Sequence, residues 1–244
     1  MISGDPVEAR KAEHLRVSAT ADVEAHVGAG WHDVRLVHEA LPEVDFDQID
    51  LGVTLLGKRL SAPLVLASMT GGHTAAREIN ARLARAAERY GLAMGVGSQR
   101  AALRNPGLSY TYSVVRDEAP TVLLIANIGA AQLIDQDSGP PLRIADVRRA
   151  IQMVRADAIA VHLNTLEESI QPEGDRRTAG AMEALRRVVA DLGAPVIAKE
   201  TGAGLSASAA LRLRDLGVAA LDVGGTGGTT FAAIEGLRAA LVYR

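Results

Sequence analysis

The most chemically loaded stretch of this chain runs His162-Leu-Asn164-Thr-Leu-Glu167-Glu168-Ser-Ile-Gln171-Pro-Glu173-Gly-Asp175. Four carboxylates crowd one imidazole there, an arrangement that stabilises a divalent cation or raises a carboxylate pKa. An acidic helix start favoured by the helix dipole is the plainer explanation. His162 alone reads as a core histidine, but Asn164 lies two residues on and points to the same side of an extended chain. Other polar groups directly follow apolar runs: Ser68-Met69-Thr70-Gly71-Gly72, Ser98-Gln99-Arg100, Asn127-Ile128-Gly129, Lys199-Glu200-Thr201-Gly202 and the glycine-rich 224–229. Lys199 reads either as a solvated residue or as a cation held against a developing anion or electron-rich ring. The glycine clusters lack the order of a dinucleotide fingerprint or a Walker loop. They still permit close backbone approach, and N–H groups at a following helix start suit an anion. Arg10, Lys11, Glu13 and His14 form a mixed cluster whose plain reading is a solvated helix face.

The elements that position these groups follow from periodicity. Apolar runs at 62–68, 92–98, 121–127, 158–164, 194–200 and 218–225 have the length of strands buried on both faces. Helical spacing links Ile79, Leu83, Ala87 and Tyr90; Ile144, Val147, Ile151 and Val154; and Met182, Leu185, Val189 and Leu192. Consecutive βα units of this size predict either a doubly wound sheet or a (β/α)8 barrel. In both, the polar residues after the runs gather at the carboxyl ends of the strands, where such folds hold ligands. Residues 1–60 differ, with a charged helix-like start and a hairpin-like piece at 44–60. They are expected to form an N-terminal extension capping the barrel, with 61–244 supplying βα units one to six as part of a single domain.

Composition narrows the function classes. The 244 residues carry 26 Lys+Arg against 29 Asp+Glu, a net charge of −3, which argues against nucleic acid as a partner. Aromatics at 3% leave little for base stacking, and cysteine is absent, excluding thiolate metal sites and cysteine nucleophiles. No apolar run is long enough to span a bilayer and the start is charged, so a cytoplasmic protein without a signal peptide or membrane contact is expected.

Taken together, RKAEH (10–14), SMTGGH (68–73), GVGSQRAAL (95–103), ANIGA (126–130), HLNTLEESIQPEGD (162–175), KETGAGLS (199–206) and DVGGTGGTTFAAIE (222–235) resemble type 2 isopentenyl-diphosphate isomerase, the flavin-dependent isomerase. The resemblance implies a (β/α)8 TIM barrel, FMN reduced by NADPH, Mg²⁺, a tetramer or octamer, and interconversion of isopentenyl and dimethylallyl diphosphates. By position, Ser68, Met69, Thr70, Ser98, Asn127, Lys199 and Thr229 would touch the flavin. Arg10, Lys11, Ser98, Arg100, His162, Asn164 and Glu167 would hold substrate, and Glu168 would bind Mg²⁺ bridging to the diphosphate. Glu167, Lys199 and His162 would stand closest to the chemistry, with reduced flavin as the acid–base element.

Two departures accompany the resemblance. The family pattern H-x-N-x-x-Q-E carries glutamine where this chain has Glu167, which when ionised only accepts hydrogen bonds. Only six βα units are evident, and the family's last two have no counterpart in this sequence. A non-catalytic flavin- or diphosphate-binding remnant and another FMN barrel oxidoreductase are the competing readings. The latter has no role for the RKAEH and QPEGD segments.

Overall fold

The computed structural model describes residues 6–242. Helix α1 spans Pro6–Thr20. An antiparallel hairpin follows, β1 (Val53–Leu55) and β2 (Lys58–Leu60). Alternating elements come next: β3 (Val65–Leu66), α2 (Thr74–Tyr90), β4 (Ala93–Gly95), α3 (Arg100–Arg104), α4 (Tyr110–Glu118), β5 (Leu124–Gly129) and α5 (Ile144–Val154). The chain continues with β6 (Ala158–Leu163), α6 (Thr165–Ile170), α7 (Ala181–Asp191), β7 (Val196–Glu200), α8 (Ala207–Asp215), β8 (Ala220–Asp222) and α9 (Phe231–Val242).

Each apolar run contains one strand, and β3 to β8 pair in parallel in strictly sequential order. That order decides between the two predicted architectures. A doubly wound sheet reverses direction at a switch point, whereas a barrel adds each strand on the same side. The sheet is an incomplete (β/α)8 barrel of six strands.

Alternation along the strands separates two apolar layers. Leu124, Ala126, Ile128, Ile159, Val161, Val196 and Ala198 face the helices. Leu123, Ile125, Ala158, Ala160 and Ile197 face inward, where Leu60 and the hairpin residues Val53, Leu55 and Leu56 pack against them. The hairpin thus fills the inner layer, and the inward positions beyond it are free for polar groups.

One predicted helix face shifts. Alongside the expected Ala87, α2 buries Ala76, Asn80, Ala81 and Ala84, while Tyr90 is 58% exposed. Tyr90 is the last helical residue before Gly91, so it overhangs the sheet, with Arg89 lying 5.4 Å from its ring centroid. Asn80 takes the inner position because it can hydrogen-bond there, donating to Thr111 O at 2.8 Å.

Candidate functional site

The inward alternation that buries Leu123, Ile125, Ala158, Ala160 and Ile197 continues to Asn127, His162 and Lys199. Period two alone carries these side chains to the barrel axis near the carboxyl ends of the strands. Register then sets neighbours: His162 pairs with Lys199, and Lys199 with Asp222. His162 Nδ1 lies 2.6 Å from Asn127 Oδ1. Burial, with the positive charges of Lys11 and Lys199 nearby, pushes the His162 pKa down to about 3. The ring is therefore neutral at physiological pH. Lys199 Nζ lies 3.0 Å from Asp222 Oδ2 and donates to Glu200 O at 3.0 Å. The Glu200 carboxylate turns the other way and accepts from the backbone N–H groups of Gly202, Ala203 and Gly204 at 3.0, 2.7 and 2.8 Å. This pins the loop that carries Thr201.

At the end of β6 the chain enters α6, whose first turn holds Glu167 and Glu168, both buried. Glu168 accepts from Asn164 Nδ2 at 2.9 Å through one oxygen and from Asp175 N at 2.7 Å through the other. Gly174 makes this close approach feasible, because a Cβ there would sit 1.8 Å from Glu168 O. Burial foremost, and the neighbouring Asp175 charge, raise the Glu168 pKa. Burial also raises that of Glu167, assisted by Glu200 and Glu168.

Helix α1 brings Arg10, Lys11 and His14 to the same cleft. Arg10 Nη1 donates to Gln171 Oε1 at 2.7 Å, and His14 Nε2 lies 2.8 Å from Glu235 Oε1 on α9. His14 also meets the Phe231 ring edge-on at 5.3 Å between centroids. Burial, and the adjacent Arg10 charge, lower the Lys11 pKa to about 8, against the opposing pull of Glu235.

The resulting cleft measures about 770 Å³ including its open mouth, large enough for a cofactor-sized ligand. Among the sequence-derived candidates it brings together Arg10, Lys11, Ser68, Met69, Ser98, Asn127, His162, Asn164, Glu167, Glu168 and Lys199. Thr70 and Thr229 line an adjoining cavity that shares Lys11, His14, Met69 and Phe231 with it. Arg100 lies beside the main cleft, its charge contributing to the lowered His162 pKa. Its guanidinium pairs with Asp175 at 2.6 Å and donates to Ser138 Oγ at 2.7 Å, lining a separate cleft by the 134–143 loop that shares Gln132 with the main one. The short α3 that begins at Arg100 turns it toward Asp175, a long-range contact invisible in the sequence.

His14, Gln132, Gln171, Thr201, Phe231 and Glu235 also line the main cleft without having been singled out as site residues. All but Gln132 lie inside the quoted motifs, so motif membership was the available signal. The MTGG glycines prove to serve packing. Gly71 has φ +149, and a Cβ there would sit 2.0 Å from the Tyr112 ring, whose hydroxyl donates to Ser98 O at 2.6 Å.

Ser98 Oγ is buried without a hydrogen-bond partner, Thr201 Oγ1 and Glu167 Oε2 have no well-formed bond beyond their approach to one another, and all three residues line the cleft. Buried polar atoms are normally satisfied, so these poorly satisfied groups, with Asn127 and Lys199 beside them, fit the polar edge of a bound ring system. For a cation the protein offers less. Among the described residues no three His, Asp or Glu side chains converge as a metal cage. Glu168 fits Mg²⁺ only as one carboxylate ligand completed by phosphate oxygens and water, a pattern this ion commonly adopts.

Comparison with known proteins agrees with this geometry. The profile of the FMN-dependent dehydrogenase family matches residues 17–138. A protein named isopentenyl-diphosphate delta-isomerase from Methanoregula boonei is 53% identical over 94% of this chain and 62% of its own length. Proteins of the same name from Methanosarcina barkeri and Halobacterium salinarum are 48% and 49% identical, with 62% and 63% of their lengths covered. The chain thus spans about 62% of the length of these relatives. A solved carboxyl transferase domain of Rhizobium etli pyruvate carboxylase aligns over 60% of this chain and 24% of its own, at 16% identity and a TM-score of 0.41, too low to argue from. With a profile match covering half of its 244 residues, the chain belongs to the FMN-dependent dehydrogenase family, and within it is similar to proteins named isopentenyl-diphosphate delta-isomerase.

Proposed function

We propose that this chain forms the substrate-facing part of an FMN-dependent isomerase that interconverts isopentenyl and dimethylallyl diphosphates. The observation that carries the reading is one cleft in which Arg10 and Lys11 stand opposite the neutral His162 and the Glu168–Asn164 pair, with Lys199 on the barrel axis. The cations Arg10 and Lys11 suit a diphosphate, and the buried hydroxyls of the same cleft suit a flavin edge. The identity to proteins named for this reaction favours it over an oxidoreductase.

In this reading Arg10 and Lys11 bind the diphosphate, and Glu168 holds Mg²⁺ against it. Ser68, Met69, Thr70, Ser98, Asn127, Lys199, Thr201 and Thr229 hold FMN, for which NADPH serves as reductant. When bound and reduced, FMN supplies the group that exchanges a proton with the allylic carbons. Lys199 places positive charge beside that ring, and Asn127 holds His162 in one orientation so that it meets the substrate without adding charge. Glu167 stands beside the Mg²⁺ carboxylate, where its ionised form adds negative charge near the diphosphate and its raised pKa eases uptake of a proton. Helix α1 covers the cleft and excludes water.

The experiment is to purify the chain, measure bound FMN by absorbance, and assay conversion of isopentenyl diphosphate with Mg²⁺ and reductant. Flavin binding with dimethylallyl diphosphate formed supports the reading. Absence of both sinks it.

A further inference from the structure

Arg238 belongs to no motif and does not line the cleft, yet its guanidinium meets three carboxylates. It is 6% exposed. Its Nε donates to Glu13 Oε2 at 2.8 Å and its Nη2 to Glu173 Oε1 at 2.8 Å, while Nη1 pairs with Glu235 Oε2. These carboxylates come from three places: α1, the loop after α6, and α9 itself. Two of them also touch α1 residues of the cleft, the His14 ring and the Arg10 guanidinium. Glu235 Oε1 accepts from His14, and Glu173 Oε1 lies 4.0 Å from Arg10 Nη1.

The apolar attachment of α1 is thin by comparison. Among its described side chains only Val17 is buried, packing with Val23 and Ile234. Beyond the helix, two backbone bonds clip the chain to the glycine-rich loop, Ala25 N to Gly228 O at 2.8 Å and Thr230 N to Val23 O at 2.7 Å. These contacts lie one to two turns beyond Arg10 and Lys11, whereas the charged cluster grips α1 at Glu13, within one turn of both. Exposed ion pairs contribute little, and the Glu13 and Glu173 carboxylates are nearly half exposed, but the Arg238–Glu235 pair is buried, so removing Arg238 strands the Glu235 charge.

We propose that Arg238 is a positioning residue for the anion site: by gripping Glu13, Glu173 and Glu235 together it docks α1 across the cleft and holds Arg10 and Lys11 where a diphosphate binds. It rests on the proposed function only for the identity of the anion.

The test uses the full chain and two probes, inorganic diphosphate with Mg²⁺ by calorimetry and limited trypsin cleavage after Arg10, Lys11 or Arg16. Arg238→Gln removes the hub. Glu13→Ala removes only the Arg238 link to α1 from a half-exposed position, so it keeps the test meaningful should the first variant misfold. Both variants are expected to speed cleavage within α1 and to weaken diphosphate binding about ten-fold. In an Arg10→Ala/Lys11→Ala background, Arg238→Gln is expected to weaken binding no further, the non-additivity of groups acting through one another. Unchanged cleavage in both variants overturns the proposal, as does an equal loss of binding in the two backgrounds. If the parent chain binds no diphosphate, the functional reading fails, and the cleavage rates still decide whether Arg238 positions α1.

Discussion

At the residue scale, two side chains carry the sharpest expectations. Lys199 is drawn toward Asp222 at 3.0 Å while remaining in the cleft wall. With FMN bound, Lys199→Ala is expected to weaken binding about ten-fold and lower the flavin midpoint potential, since a cation favours the reduced, anionic ring. Asp222→Asn should shift the potential upward by freeing that charge. A redox titration of each variant checks this, and unchanged potentials remove Lys199 from the flavin. Glu167 is the second. Its Oε2 is buried without a well-formed bond, and it adds a carboxylate beside Glu168. Glu167→Gln keeps the shape, supplies a donor and removes the charge, so diphosphate affinity is expected to rise about three- to ten-fold. Weaker binding in calorimetry would show that the carboxylate itself is required. The departure at this position was legible from the motif. Its burial was not, because it depends on the packing of α6 against distant parts of the chain, such as Gln171 of its C-cap meeting Arg10.

At the element scale, Asp157 ties three pieces together at the opposite end of the sheet. Its carboxylate meets Lys58 of β2 at 2.8 Å, Arg116 of α4 at 2.9 Å and the Leu124 N–H of β5 at 2.9 Å. Burial alone would raise its pKa, but these three partners outweigh it and hold the value below the ordinary 3.8. A depressed carboxylate stabilises the fold above its unfolded value and loses that contribution as pH falls through the folded one. Asp157→Asn is therefore expected to lower Tm by about 2–4 °C at pH 7, on the scale of one lost interaction in a chain this size. The gap to the parent should narrow as pH drops below about 4 and close once both carry a neutral group. A gap of constant size across that range would mean the ion pairs contribute nothing. The hairpin and βα units were readable from alternation and spacing. The pinning of the hairpin through Lys58 joins residues 99 positions apart and leaves no local trace.

At the scale of the whole molecule, two features leave apolar and backbone groups uncovered. The sheet ends on β3 and β8, both only partly buried. Along 31–46, Trp31, Leu36, Val37, Leu41 and Phe46 are each more than three-quarters exposed. Open parallel edges and many exposed apolar side chains favour association. Light scattering is expected to give at least twice the mass of one chain at micromolar concentration, falling on dilution. A strict monomer at every concentration contradicts this. Among the described residues no helix is long and apolar enough to cross a membrane.

Much of the site was determined by the sequence itself, because period two along parallel strands dictates which residues turn inward. Asn127, His162 and Lys199 follow from counting along apolar runs, and Asn164 and Glu168 follow from the loop immediately beyond. The choice of a barrel over a doubly wound sheet needed the strand order, since both arise from the same local pattern. Tertiary structure alone decided which charges meet. Arg100 turns to Asp175, and Arg238 reaches across 225 positions to Glu13 to seat α1 over the cleft. Local periodicity is written by backbone geometry and repeats every few residues. The pairing of buried charges depends on which surfaces come together once the units have closed against one another.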